Sequence, residues 1–316
     1  MGLFLSREEM WDLPVDPEDR HEKHITHWFG NIGWAVANGL FKVAFRMQVS
    51  GRENLRAFKG ISGVVVVCNH TSYLDVACMY LSGRPAQWIR IMGRESLFDT
   101  GKGLGGQVLS RVGAFPIKRD TSDRTALKRA ARDLKRKEIV GILPEGTRRG
   151  KGSLTPKLHA GAALIARMGG GVPIVPMTVR NVENVKRKGE RLRFPKVTIE
   201  YGSPVLLSDF DGLPKDERLE GCTWYAMREC FAMFYNIPAE SVDMPALFPD
   251  NRDFTEYFKE HPVPKHDAQE VAASIAAKES EKEMRRLEKE LADLERQLAD
   301  LKSQDPAEAD GADGAE

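Results

Sequence analysis

The segment Asn69-His70-Thr71-Ser72-Tyr73-Leu74-Asp75 follows the apolar run ISGVVVVC and sets a histidine and an aspartate five positions apart. An imidazole beside a carboxylate is an arrangement for general-base chemistry. The carboxylate fixes the ring tautomer and steadies the positive charge once the ring has taken a proton. The same residues have a plainer use, because Ser72 followed by Asp75 is a variant of the capping box that starts a helix. Under that reading His70 is only a turn residue. The two uses are compatible. VVVVC must be buried on both faces, so it reads as a central strand. His70 then stands at its end, with Asp75 one turn into the following helix and able to swing back. The chain has no GxSxG elbow, the strand–turn–helix motif that presents a serine nucleophile. The hydroxyl on which His70 acts is therefore expected to come from a substrate.

Three further clusters carry charge or shape. GAFPIKR (113–119) ends in two cations, Lys118 and Arg119. LPEGTRR (143–149) follows the strand-like EIVGIL. There Gly146 permits a tight turn, and Arg148 and Arg149 offer forked donors suited to phosphate. Glu145 would accept a substrate hydroxyl or hold an arginine in place. Taken singly, each of these clusters is more simply a salt-bridged turn. GVPIVPMTV (171–179) is apolar and interrupted by Pro173 and Pro176. Two prolines deny a full hydrogen-bond ladder, which predicts a strand end shaping a pocket wall.

The elements that must position these residues follow an α/β pattern. Apolar, β-branched runs predict strands at 63–68, 87–92, 138–143, 173–179 and 197–201. Between them, SDRTALKRAARDLKRK (122–137) predicts a helix capped by Ser122. The alternation implies a mostly parallel central sheet flanked by helices, with sites where strands end and loops begin. TWYAMRECFAMFYNI (223–237) predicts a buried helix, and the Pro- and aromatic-rich 238–266 a loop wrapping the domain.

The 316 residues are 41% hydrophobic and 29% charged, a globular composition. The formal net charge of +1 hides an asymmetry: residues 1–83 carry −1, 84–193 carry +16 and 194–316 carry −14. A block at +16 suggests an anionic partner: nucleic acid, an anionic membrane surface or a phosphorylated substrate. Cys68, Cys78, Cys222 and Cys230 show no metal or redox spacing and sit among apolar residues, which favours buried free thiols in a reducing compartment. Residues 1–12 lack a secretory signal pattern; MGLFLS fits the loose pattern for N-myristoylation, but an ordinary start is the plainer reading.

The domain plan has five parts. After an N-terminal segment (1–27), residues 28–49 are apolar and aromatic, but Lys42 and Arg46 argue against a spanning helix. Helical spacing gathers Phe29, Ile32, Val36, Leu40, Val43 and Met47 on one side, with Trp28 and Trp34 near headgroup level. That suits a helix lying in a membrane interface, or one packed on the domain core. The main domain is expected over 50–266, and a helix over 267–303. Its Met284, Leu287, Leu291, Leu294, Leu298 and Leu301 form an a/d seam, read as a homodimeric coiled coil through 277–303 or as a charged helix docking on its own domain. An acidic tail (304–316) is expected to be disordered.

Rival functions fit less well. GKGLGG (101–106) matches GxGxxG literally but is separated from the preceding strand by ESLFDT, so it does not form the strand-to-helix turn that holds a dinucleotide. GTRRGKG has the wrong spacing for a Walker loop, and no nucleic-acid motif or set of stacking aromatics accompanies the basic block. No metal-ligand pattern is present.

Together NHTSYLD, GAFPIKR, PEGTR and VPIVP resemble, in order and spacing, the four blocks of the glycerolipid acyltransferases, and in particular the 1-acylglycerol-3-phosphate (lysophosphatidic acid) acyltransferases. The resemblance covers roughly residues 28–236. It implies fatty acyl transfer from acyl-CoA or acyl carrier protein to a lysophospholipid hydroxyl, with the thioester as co-substrate and no resident cofactor. By position it implies His70 as base and Asp75 as its orienting partner. Phe115, Lys118 and Arg119 fall in the acceptor-binding block, with Arg119 as phosphate ligand. Glu145, Gly146, Thr147 and Arg148 fall in the acceptor-positioning block, and Pro173 and Pro176 on the acyl side. Pro116-Ile117-Lys118 precedes the arginine where many members have an acidic residue. The expected partners are a lysophospholipid, with 1-acylglycerol-3-phosphate giving phosphatidic acid as the default, an acyl thioester and a membrane surface, at the cytoplasmic face of a membrane; the alternatives are another lysolipid acceptor or a non-catalytic scaffold working through the coiled coil.

Overall fold

The computed structural model describes residues 6–17, 21–84, 87–118, 123–149, 155–185, 189 and 191–304. The chain begins with α1 (Arg7–Met10), α2 (His27–Ala44), β1 (Gln48–Ser50), α3 (Glu53–Arg56), β2 (Val64–Cys68) and α4 (Leu74–Gly83). Next come β3 (Ile89–Arg94), α5 (Glu95–Phe98), α6 (Leu104–Arg111), β4 (Phe115–Ile117), α7 (Arg124–Lys135) and β5 (Ile139–Ile142). The rest comprises α8 (Gly161–Met168), β6 (Ile174–Arg180), β7 (Thr198–Tyr201), α9 (Arg218–Tyr235), α10 (Met244–Leu247), α11 (Thr255–Glu260) and α12 (Ala268–Gln304).

The strands form one seven-stranded sheet in the order β1-β7-β6-β2-β5-β3-β4. β6, β2, β5, β3 and β4 run parallel, while β1 and β7 run parallel to each other and antiparallel to β6. β2 is central and all five of its residues are buried, as VVVVC requires. Val65 and Val67 enter a core with Leu134 of α7, Ala162 and Ala166 of α8 and Met227 of α9. The five parallel strands send their C-terminal ends to one edge, and that edge collects the loops that begin at Asn69, Lys118 and Leu143 and the start of α5 at Glu95. The expected strands are all present. β1 and β4, three residues each, were not foreseen.

Several expectations need correction. The apolar segment 28–49 is not one helix: α2 ends at Ala44, and Gln48–Ser50 pairs as β1 with β7. Met47 therefore leaves the proposed stripe and is buried. Trp28, Ile32, Val36, Leu40 and Val43 remain exposed along α2, while Gly30, Asn38 and Phe41 face inward. Asp123, not Ser122, caps α7, its carboxylate accepting the Ala126 N–H at 3.0 Å; Ser122 lies outside the described residues. Pro176 does not end β6 but sits within it, opposite Val67. The strand tolerates it because pairing with β7 begins one residue later, at Met177, and Pro176 uses only its carbonyl there, accepting Gly202 N–H at 2.8 Å.

The residues before α2 are not a separate segment. Met10, Val15 and Ile25 are buried, and Arg90, at 0% exposure, reaches the carbonyls of Trp11 and Leu13 while pairing with Asp133 and Glu138 at 3.2 Å each. Asp12 pairs with Arg129 and Arg132 at 2.9 and 2.7 Å, which hold its carboxyl down at about 2. Part of the +16 block thus fastens the chain's own N-terminal residues rather than a partner. The four cysteines are free and buried. Among the described residues no helix is long and apolar enough to cross a membrane, and no group of residues is placed to hold a metal ion.

The chain divides into two compact units between Ala272 and Ala273. α12 starts in the first, where Ala268, Val271 and Ala272 are buried. In the second it carries Met284, Leu287, Leu291, Leu294 and Leu298, all more than half exposed. The expected tail from 305 onward lies outside the described residues.

Candidate active site

His70 and Asp75 meet as their spacing suggested. His70 Nδ1 lies 3.1 Å from Asp75 Oδ2, and both side chains are buried. The same carboxylate oxygen accepts the Thr71 and Ser72 N–H groups at 2.6 and 2.7 Å, and the Thr71 hydroxyl lies 3.4 Å from Oδ1. Half of a capping box is thus present: Asp75 returns to the Ser72 amide, while the Ser72 hydroxyl accepts from Leu74 N–H at 3.3 Å. Cap and pair coexist in one carboxylate. Because Asp75 accepts from Nδ1, that nitrogen carries the proton and Nε2 keeps its lone pair, the atom a general base uses.

The main chain of His70 is held by the loop after β5. Its N–H donates to Glu145 Oε1 at 2.8 Å, and its carbonyl accepts Arg149 N–H at 2.8 Å. Glu145 Oε2 faces Arg149 Nε at 2.6 Å, a charge contact rather than an aligned hydrogen bond. Burial pushes the Glu145 carboxyl up to about 7, against the opposing pull of Arg149 and the His70 amide. The Arg149 guanidinium lies 4.7 and 4.6 Å from the ring centroids of Phe231 and Phe248. Of the two readings offered for Glu145, holding an arginine is the one observed. Oε1 takes the His70 amide, Oε2 faces Arg149, and at 1% exposure the carboxylate is closed to a substrate hydroxyl. Arg149, which the sequence presented as a phosphate donor, is a clamp. The signal for that role lies about 80 and 100 residues away, in Phe231 and Phe248, beyond the reach of a motif.

Gly146 has φ +62°, where a side chain would be strained, and an added Cβ would stand 3.3 Å from the His159 ring. Thr147 N–H turns back to the Glu145 carbonyl at 2.6 Å. Arg148 stays half-exposed with its guanidinium 3.7 Å over the Tyr73 ring, and no carboxylate among the described residues pairs with it. It is the cation of this loop best placed to meet a phosphate. The thiol and amide cluster behind His70 also pins the edge: Asn69, fully buried, accepts from the Thr178 hydroxyl at 3.0 Å and Val179 N–H at 3.2 Å, tying the end of β2 to β6.

Other expected site residues fall elsewhere. Phe115 is fully buried beneath Arg90, whose guanidinium lies 5.6 Å from its ring centroid, so it supports the sheet instead of meeting substrate. Lys118 is on the His70 edge and exposed, 3.9 Å from Glu95. Arg119 lies outside the described residues. Pro176 is at the level of Val67, below His70, and Pro173 precedes β6 at the opposite edge, roughly 20 Å down the strand from His70. The structure does not bring the two prolines to the histidine. At the helix start the Thr71 and Ser72 amides are committed to Asp75 and are not free to hold an oxyanion. GKGLGG follows α5 and opens α6, not a strand-to-helix turn.

Comparison with known proteins places this geometry. A family model described as Acyltransferase matches residues 46–180. The 1-acyl-sn-glycerol-3-phosphate acyltransferase of Bacillus subtilis (strain 168) is 34% identical over 177 residues, spanning 56% of this chain and 82% of that one. The chain belongs to the glycerolipid acyltransferase family. As an O-acyltransferase it carries all four blocks on one framework, three of them along one sheet edge. The human 1-acyl-sn-glycerol-3-phosphate acyltransferase beta is 30% identical over 175 residues, 54% of this acyltransferase and 60% of the human chain. The crystal structure of the 1-acyl-sn-glycerophosphate (LPA) acyltransferase PlsC from Thermotoga maritima aligns with a TM-score of 0.45 at 21% identity, covering 65% of this chain and 81% of that one.

Proposed function

We propose that this acyltransferase moves a fatty acyl group from acyl-CoA or acyl carrier protein to the free hydroxyl of a lysophospholipid, with 1-acylglycerol-3-phosphate as acceptor and phosphatidic acid as product. The observation that carries this reading is the buried His70–Asp75 pair at the C-terminal edge of the sheet, with its Nε2 lone pair available and, on the adjoining loop, Arg148, which pairs with no carboxylate among the described residues. His70 Nε2 takes the hydroxyl proton while the hydroxyl oxygen attacks the thioester carbonyl. The tetrahedral adduct collapses with cleavage of the C–S bond, and the imidazolium returns the proton to the departing thiolate. Asp75 keeps the ring oriented and opposes its positive charge throughout.

The exposed face of α2 supports the same reading. The exposed apolar stripe of α2 suits insertion at the level of the lipid interface, where a lysolipid acceptor resides. The exposed leucines of α12 suit pairing with a second copy of this helix.

The test is purified protein incubated with lysophosphatidic acid in vesicles, with palmitoyl-CoA and palmitoyl-acyl carrier protein in parallel. Thiol release and phosphatidic acid formation are followed beside a His70→Ala control. Product that disappears in folded His70→Ala establishes the reaction, and the donor comparison identifies the thioester. Activity on other lysolipids alone would move the acceptor assignment. Turnover retained by His70→Ala would remove the histidine from the chemistry.

A further inference from the structure

At the sheet edge opposite His70, ahead of the first residues of β2, β3 and β5, lies a cavity of about 770 Å³, within the range of small-molecule sites. Its walls come from the first half of α2, the Lys59–Gly60 turn, Arg84 and Trp88 ahead of β3, and Arg136–Lys137 ahead of β5. The whole length of β2, ~16 Å, separates it from the catalytic edge.

Four lining side chains are cations (Lys59, Arg84, Arg136 and Lys137) and two are carboxylates. Glu138 is occupied by Arg90 at 3.2 Å and the Val15 N–H at 2.6 Å. Asp16 is 75% exposed at the side chain and stands 3.6 Å from His27. Arg136 reaches Glu22 at 3.6 Å, while Lys59 and Lys137 stand exposed at the rim.

Arg84 is the decisive residue. It is 7% exposed, its guanidinium lies 4.0 Å from the Trp88 ring centroid, and it donates to the Asn31 side-chain carbonyl. Its Nε, shielded from solvent, has no acceptor among the described residues, and no carboxylate among them pairs with it. Asp16, across the same cavity, acts on it only through space, and a buried cation without a paired carboxylate is costly to hold. Arg84 lines the cavity beside it, and a guanidinium fork matches the oxygens of a phosphate.

We infer that this cavity binds a phosphate group, carried by a phospholipid headgroup or by a soluble phosphate ester, at a site separate from the catalytic edge. The placement of α2 favours the lipid source. One flank of the helix (Asn31, Trp34) lines the cavity, and the next flank is the exposed apolar stripe of Ile32, Val36 and Leu40. The far end of α2 leads into β1, which starts beside Thr198 at the His70 edge. A bilayer lying along the stripe would therefore reach the cavity at one end of α2 and the catalytic edge at the other.

The experiment uses the full chain, flotation on phosphatidylcholine vesicles with and without phosphatidic acid, and thermal denaturation with glycerol 3-phosphate. The wild type is expected to prefer the phosphatidic acid vesicles. Arg84→Gln should lose that preference while binding neutral vesicles as the wild type does. Lys59→Gln with Lys137→Gln should weaken the preference roughly 25-fold, about fivefold per lysine. Because Arg84 is buried, it adds little to diffuse surface attraction, so its loss separates a built site from a merely basic surface. If glycerol 3-phosphate stabilises the wild type but not Arg84→Gln, and competes with the vesicles, a soluble ester suffices. If it does neither while the vesicle preference depends on Arg84, the ligand is the lipid. A phosphatidic acid preference and a glycerol 3-phosphate response both unchanged in folded Arg84→Gln would overturn the inference. Should Arg84→Gln fail to fold, the lysine pair is compared with Arg124→Gln and Lys128→Gln, an exposed pair on α7. Equal losses in the two pairs would overturn it too.

Discussion

Replacing Asp75 by asparagine isolates the charge of the His70–Asp75 pair from its geometry. An asparagine carbonyl placed where Oδ2 stands can still accept from the ring nitrogen and from the Thr71 and Ser72 amides, all within 3.1 Å. The ring tautomer and the helix start are therefore kept, and only the negative charge is removed. Two opposite charges about 4 Å apart at an effective dielectric near 20 interact by about 4 kcal/mol. Removing that from the transition state, where the ring is positive, should lower kcat by about 10³. Asp75→Ala removes the acceptor as well. Two half-buried amides then lose their partner, at about 1–2 kcal/mol each near the lower end of such losses. For a unit of this size that is a fall in Tm of roughly 4–15 °C. The assay is thiol release at saturating donor and acceptor, with circular dichroism melting of each variant. Asp75→Asn should melt within about 3 °C of the wild type and lose kcat with little change in acceptor KM. A folded Asp75→Asn that keeps more than about a tenth of the wild-type kcat would refute the reasoning, because less than about 1.4 kcal/mol would then belong to the charge.

Three other outcomes are expected. Glu145 has a folded pKa raised to about 7 by burial, so the native state binds more protons than the unfolded chain between about pH 4.5 and 7, and stability falls as pH rises through that window. Glu145→Gln should flatten that part of the Tm–pH profile relative to wild type, and superimposable slopes would contradict it. Deleting 273–316, a cut that leaves the buried Ala268, Val271 and Ala272 in place, should abolish self-association while preserving turnover; an unchanged sedimentation mass rules out the α12 pairing. Val36→Glu with Leu40→Glu on the exposed face of α2 should leave Tm within about 2 °C and reduce binding to neutral vesicles at least tenfold, since each side chain withdraws about 1.5–3 kcal/mol of apolar burial from the lipid interface. Vesicle binding equal to wild type would put the membrane contact elsewhere.

Legibility in the sequence followed the range of the interactions. β2 could be read because its burial on both faces demands an unbroken apolar run, and the His70–Asp75 contact because it spans one turn. β1 could not: Gln48-Val49-Ser50 is three residues long with two of them exposed, and it exists only because β7 presents a free edge. The end of α2 was misplaced because Met47 continues the helical spacing numerically while its backbone has already left the helix. Phe115 sits in the right block but is a core residue, since position within a motif does not report which face of a strand is presented. The acidic N-terminal residues gave no motif, yet Asp12 absorbs two cations of a block whose charge had pointed outward. Arg84 was equally silent: neither its burial nor its missing partner leaves a trace in local pattern.

The His70 main chain is held by residues 75 and 79 positions downstream, through the Glu145 carboxylate and the Arg149 amide, and the Arg149 guanidinium in turn rests against the rings of Phe231 and Phe248. This bears on the order in which the protein acquires activity during synthesis. A ribosome that has released β2 and α4 has made the histidine and its aspartate, but nothing yet fixes the backbone that carries them. The clamp closes only after α9 and α10 have emerged, a long-range closure of the kind that forms late in folding. A truncated or partly folded chain therefore holds both residues of the pair without that support, and competence for acyl transfer arrives with the completed domain.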